Sequence, residues 1–456
     1  MNYLLLFISI AHAFVLGGFF YVLKSRGFFS PEVLYILFSS LHVFSLFFFS
    51  LDSAGLVGFL GYDLEKVQHS LLLSVILKVI LDIVYILASL TVKSSLFFSW
   101  VSFPGRILSV DYNVRNVHAL YSFAWTVSFF GAFFLYILIM KSGGLLYLWS
   151  NMGQRSVIFE GSGQYLVLAE VFLQSGVFLF MLVWVLGFNR ISSILIIIVS
   201  VILLGLFGGR SPVLYAIFLI ACVFYVRYKE FVFRLSHVGI VFGFLIFFSV
   251  VGALRDSNGL NQFRLDPVGF VASSVVDFPG RIAPYFSKIK RDIVIYEYFE
   301  DHNYWFGAQY ESLLASPIPR SLFPDKPVID GGRLVKAMHQ GESVSPVSRI
   351  DEVPTTGWPE GNMAGYMNFG LIGLFLYTIA SAFFVKSVYI QCFCNSRRNW
   401  LLSVYVYCVF LGPLAFDPYS LFRFAGYFSI SILVLLSFKI WVGLRSLLLG
   451  SYLVRS

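Results

Sequence analysis

Apolar positions in this chain come in long unbroken runs separated by short polar breaks. Runs of roughly 17 to 25 apolar residues, long enough to cross a bilayer core, fall at about 3–23, 32–51, 70–92, 117–140, 164–187, 192–209, 211–227, 237–254, 363–390, 400–416 and 424–442. The pattern predicts an all-α, polytopic integral membrane protein with about eleven transmembrane helices. Spans six and seven meet at Gly208-Gly209-Arg210-Ser211-Pro212, where only a tight turn fits, so an antiparallel helix pair is expected. One stretch breaks the pattern. From Arg255 to about Asn362 the chain is polar and punctuated by Pro and Gly, yet too aromatic and too helically patterned for a linker. A connection of that length is functional or disordered, and this one reads as a catalytic and substrate-binding cap. The expected segments are therefore 1–254 with spans one to eight, 255–362 as the cap, and 363–456 with spans nine to eleven and a tail.

Composition supports the membrane class: 58% of residues are hydrophobic, 19% aromatic and 12% charged. The net charge of +8 could point to nucleic acid, but the basic residues lie singly between apolar runs, so membrane sidedness explains them and nucleic acid is excluded as a partner. Cys222, Cys392, Cys394 and Cys408 lie in or beside spans, which indicates neither a disulfide framework nor a zinc site. No cofactor and no metal is expected. The first twenty residues lack a basic leader and read as a retained first helix.

Lys and Arg concentrate in one alternating set of loops, from Lys24 and Arg26 through Arg190, Arg227 and Lys229 to Arg397, Arg398, Lys439 and Arg455, which marks that side as cytoplasmic. The other set holds the acidic segment Asp52 to Glu65, the 141–163 loop, the Gly209-Arg210 turn and the cap. The cap and N-terminus are thus expected outside, with the C-terminus inside. A site on that face has neither ATP nor nucleotide sugars, so a bond-forming reaction there needs an activated, membrane-delivered donor. Arg210 and Arg255 stand at outer helix ends, at the depth of a headgroup diphosphate, and the cap adds Arg281, Arg320, Lys326, Arg333 and Lys336, among others. Such cations can neutralise the charge growing on a departing diphosphate. Snorkelling to lipid phosphates and salt bridging with the many cap carboxylates account for the same residues without function.

Four prolines in Pro317-Ile318-Pro319-Arg320-Ser321-Leu322-Phe323-Pro324-Asp325-Lys326-Pro327 dictate a stiff extended strap. This strap resembles the outer-loop element of Wzy-type oligosaccharide repeat-unit polymerases, with Phe323 where Trp is common. Gly208-Gly209-Arg210, Val251-Gly252-Ala253-Leu254-Arg255 and Asn368-Phe369-Gly370-Leu371-Ile372-Gly373 are similar to family elements in the same order, so the resemblance covers about 200 to 375. It implies a GT-C-like scaffold in the bacterial inner membrane. The implied reaction moves a growing glycan from undecaprenyl diphosphate to a sugar hydroxyl of one undecaprenyl-diphosphate-linked repeat unit, in the synthesis of O-antigen or related polysaccharide. Beyond that substrate and membrane lipids, the resemblance brings a chain-length-regulating co-polymerase into consideration as a partner.

For the general base the residues favour His339, with His302, Glu342, Asp351 and Glu360 as competitors. Glu360 also stands among the substrate-binding candidates. Asp330-Gly331-Gly332 could start a short helix carrying Arg333, Lys336 and His339 on one broad face and stopping at Gly341. Trp305 and Trp358 are candidate sugar-stacking surfaces, although aromatics at such positions also form interfacial belts. Within the spans, Lys78 and Asp82 are four apart and expected to pair, whereas Glu170 has no local partner in sequence. Two other activities fit the same inventory: an O-antigen ligase that uses lipid A core as acceptor, and a flippase for lipid-linked oligosaccharide. The single polar mass argues against the flippase, since transporters usually show repeated, broken helices in corresponding halves.

Overall fold

The computed structural model describes residues 2–23, 29–51, 53–62, 65–92, 117–150, 162–205, 210–228, 259–276, 287–318, 322–358, 360–393 and 416–453, with a few isolated positions besides. These residues are all-helical, with no strand among them. In chain order the helices are α1 (Asn2–Leu23), α2 (Pro31–Leu51), α3 (Ser53–Leu60), α4 (Gln68–Thr91), α5 (Val117–Lys141), α6 (Leu145–Ser150), α7 (Gly163–Val185), α8 (Arg190–Gly205) and α9 (Arg210–Tyr228). They continue with α10 (Gly259–Leu265), α11 (Pro267–Val276), α12 (Ile289–Asp301), α13 (Glu311–Ala315), α14 (Gly331–His339), α15 (Met363–Phe393) and α16 (Pro418–Leu453).

Among the described residues, seven helices are long and apolar enough to cross a membrane: α1, α2, α4, α5, α7, α15 and the first part of α16. The protein is thus a multi-pass membrane protein. Expected spans six and seven are the shorter apolar helices Arg190–Gly205 and Pro212–Tyr225. The expected spans at 237–254 and 400–416 fall largely outside the described residues.

The chain forms two compact units. The first comprises Met1–Val92, Val232–Lys386 and Leu414–Tyr419, so it joins α1 to α4 with most of the polar segment. Helix α12 packs on α4 and on α14, and Leu77 and Leu81 of α4 share a core with Ile295, Tyr296 and Phe299 of α12 and Leu334, Val335 and Met338 of α14. Each fully buried side chain of this kind contributes roughly 1.5–3 kcal/mol. The second unit comprises Lys93–Phe231, Ser387–Pro413 and Ser420–Ser456. There α5 and α7 cross at small residues, because a Cβ on Gly131 would lie 2.8 Å from the Leu173 backbone nitrogen and one on Gly176 would lie 2.2 Å from Ser128 Oγ. Glu170 accepts from Gln174 Nε2 at 3.2 Å and pairs with Arg423 at 3.4 Å, so its partners come from one turn on and from the far end of the chain.

Helix α15 is broken at Phe369 and Gly370, the latter at φ +63 and ψ −151. The chain doubles back so tightly that a Cβ on Gly373 would lie 2.1 Å from the Gly365 carbonyl oxygen. Asn368 secures the break: its Oδ1 accepts from Gly307 N at 3.1 Å, and its Nδ2 donates to Gln309 Oε1 at 2.9 Å and Ala364 O at 2.8 Å. The Asn-Phe-Gly run, which reads as the opening of a span, stands at the reversal from which the long apolar part of α15 departs. Gly373→Val is expected to lower stability by more than about 1–3 kcal/mol, the usual cost of overpacking, because backbone must move to admit it. A thermal melt in detergent reads this directly, and an unchanged midpoint would contradict the tight reversal.

Candidate functional site

His339 closes α14, and the geometry around it begins with the glycines at the start of that helix. Asp330 caps α14 by accepting from Gly332 N at 3.1 Å, and the helix stops before Gly341 at φ +79. A Cβ on Gly332 would lie 2.2 Å from Trp358 O, and one on Gly357 would lie 2.5 Å from Arg333 N. Lacking side chains there, the 357–358 segment lies flat on the first turn of α14 and is held by Trp358 N donating to Gly332 O at 2.8 Å. Trp358 is thereby brought to His339, with ring centroids 4.7 Å apart.

A second aromatic ring meets the imidazole, that of Tyr62, with centroids 5.4 Å apart and nearly perpendicular. Gly61, at φ +74, turns the chain out of α3 and presents Tyr62, whose hydroxyl lies 2.6 Å from His339 Nδ1. No other hydrogen bond involves the imidazole, so Nε2 is left without a partner among the described residues. Lys290 reaches over the Trp358 ring with Nζ 5.4 Å from its centroid, and Lys336 donates to Thr356 Oγ1. Partial burial, then Lys290, then Lys336 lower the His339 proton affinity below that of an ordinary histidine. Burial and the nearby Glu297 raise the Tyr62 phenol, keeping it protonated. The site thus holds an imidazole of lowered proton affinity in contact with two aromatic rings and near two ammonium groups.

The other expected site residues are distributed differently. Arg255, Arg281 and Arg320 lie outside the described residues, and so does the side chain of Arg210, whose backbone opens α9. Lys326 folds back on its own segment, donating to Ser316 O at 3.0 Å and Ile318 O at 2.6 Å, which ties the strap to the end of α13. Arg333 is half-buried, and its Nη1 is enclosed without a hydrogen-bond partner. Trp305 is 9% exposed and belongs to the core against Phe299, which leaves its ring without the open face that sugar stacking needs. Glu360 is 2% exposed, accepts from Gln309 Nε2 at 2.7 Å, and is pushed well above the usual carboxylate range by burial and then by Asp417. Enclosed and held by Gln309, which also accepts from Asn368, this carboxyl ties into the α15 reversal. Among the base competitors, His302 is exposed, stacks on Tyr298 and shares Nδ1 with the Tyr298 carbonyl at 2.8 Å.

Sequence reasoning passed over Tyr62, because it lies 277 residues from His339 and carries no local motif. Lys290 carries no motif that would single it out among the cations of the 255–362 segment. The only available signal was the isolated Gly61-Tyr62 pair that ends a short apolar helix. Among the described residues no group of three or more His, Cys, Asp or Glu is arranged to hold a metal ion. An apolar groove of about 860 Å³ lies between α1 and α2, lined by Ile10, Phe14, Gly17, Phe20, Leu37 and Phe44. No protein-family model, no curated protein and no solved structure matches the chain.

Proposed function

We propose that this protein is a membrane glycosyltransferase that polymerises polyprenyl-diphosphate-linked oligosaccharide repeat units, with His339 as the general base. The observation that carries this reading is a neutral imidazole with a free Nε2, flanked by Tyr62 and Trp358 and by the ammonium groups of Lys290 and Lys336. When Nδ1–H donates to the Tyr62 oxygen, Nε2 carries a lone pair and can take the proton of an acceptor hydroxyl. Trp358 offers a ring for the acceptor sugar, and the two lysines supply positive charge for a phosphate oxygen. The groove between α1 and α2 suits a prenyl chain, since both of its walls are membrane-length helices. In this scheme Arg210 and Arg255 remain candidates for the diphosphate clamp, and the site faces the periplasm.

Purified protein incubated with one synthetic undecaprenyl-diphosphate repeat unit tests the reading. Chain growth supports polymerisation. Product formed only after addition of lipid A core would make the protein a ligase, and a substrate that crosses the bilayer unaltered would make it a flippase.

A further inference from the structure

Buried polar groups in the α1–α2–α4 bundle form a series that the glycosyltransfer reading does not use. At its centre Asp82, fully buried on α4, accepts from Tyr35 at 2.8 Å and from Lys78, and its Oδ2 lies 2.9 Å from His12 Nε2. Lys78 also donates to Ser39 at 3.2 Å. His12 is 0% exposed and His42 is 5% exposed, yet His12 Nδ1 and both His42 ring nitrogens have no hydrogen-bond partner. The charged and titratable groups facing His42 are His12 from α1, Lys78 and Asp82 from α4, and Lys288 from the start of α12.

The series continues towards both ends of the bundle. On the α12 side Ser74 Oγ lies 3.4 Å from Asp292, where Leu71 and Val75 pack with Ile289 and Ile293. At the other end, where Val33 and Leu90 share a cluster, Ser89 Oγ, Ser30 Oγ and Glu32 Oε2 are buried without partners, and Glu32 pairs with Lys386 through its other oxygen at 2.6 Å. Ser74, Lys78, Asp82 and Ser89 occupy one broad face of α4 and span roughly 22 Å at 1.5 Å per residue. Six unpartnered polar atoms in one membrane-length bundle are costly unless water completes them. Imidazole, carboxylate, hydroxyl and water are also the groups that pass protons from one to the next.

We propose that the α1–α2–α4 bundle is a water-completed proton path running from Ser74 and Asp292, through Asp82, His12 and His42, to Ser89 and Glu32. Each transfer breaks one N–H or O–H bond and forms another. One proton enters from bulk water at one end as one leaves to bulk water at the other, and no oxidant or reductant is involved. The buried His42 imidazole can accept a proton at one ring nitrogen and donate one from the other. The path does not depend on glycosyltransfer, so it stands or falls separately.

The test uses the full-length protein in liposomes that contain a trapped pH-sensitive dye, with a potassium diffusion potential set by valinomycin. Wild-type protein is expected to pass protons at least about tenfold faster than protein-free liposomes, and His42→Leu to remove that excess while eluting and melting as a folded protein. Should His42→Leu fail to fold, Ser89→Ala at the far end takes its place, with a reduction of about threefold or more expected. Wild-type flux no greater than that of empty liposomes overturns the proposal, as does unchanged flux in the folded variant.

Discussion

His339→Gln is expected to lower glycan polymerisation by about 10²–10⁴-fold, the usual range for loss of a positioned general base, while leaving the melting temperature close to wild type. Glutamine keeps the hydrogen-bonding reach towards Tyr62 but has no lone pair basic enough to take a hydroxyl proton. The pH profile supplies an independent reading. Burial, Lys290 and Lys336 hold the His339 proton affinity below the ordinary histidine value. The base form therefore prevails at and above about pH 6.5, and activity falls only when pH drops below that value. Lys290→Met removes the larger of the two charge contributions, so the acidic limb is expected to move to higher pH. Lys336→Met should move it in the same direction by less. Activity in His339→Gln at the wild-type level, with the same limb, would transfer the base role to another group.

Asp82→Ala is expected to destabilise the first unit by about 3–5 kcal/mol, the range for breaking a buried ion pair from one side. The carboxylate is fully buried and has Lys78, Tyr35 and His12 as its partners, so its loss strands an ammonium group and a phenol together. The double change Lys78→Met with Asp82→Leu should cost clearly less than Asp82→Ala, because no uncompensated charge remains. Thermal melts of the three forms in one detergent provide the comparison. Equal losses in the single and double variants would mean that packing, and not charge, sets the value of this pair.

Much of the helical plan is local, and to that extent it can be read from residue order. A run of twenty apolar residues is driven to helix in a bilayer because every backbone group must be satisfied within the segment. Consequently α1, α2, α4, α5 and α7 appear where the hydropathy places them. Helix α14 is legible for a similar reason, since Asp330 and Gly341 bracket it with a cap and a left-handed stop. The pairing of Lys78 with Asp82 follows from four-residue spacing alone.

Tertiary structure decided the rest. Tyr62 and Lys290 reach His339 and Trp358 only because α12 packs into two cores at once, one with α3 and one with α14, and no periodicity along the chain encodes that meeting. His12 and Tyr35 join Asp82 from two other helices, which turns a local pair into a network. Trp305 and Glu360 look like surface candidates in a polar stretch, yet the α15 reversal at Gly370 encloses the carboxyl and the core takes the indole. Residue order determined which segments become helices, because backbone hydrogen bonding and hydrophobic length act over neighbours. Which side chains meet across those helices depended on long-range packing, and in this protein those meetings build the candidate site.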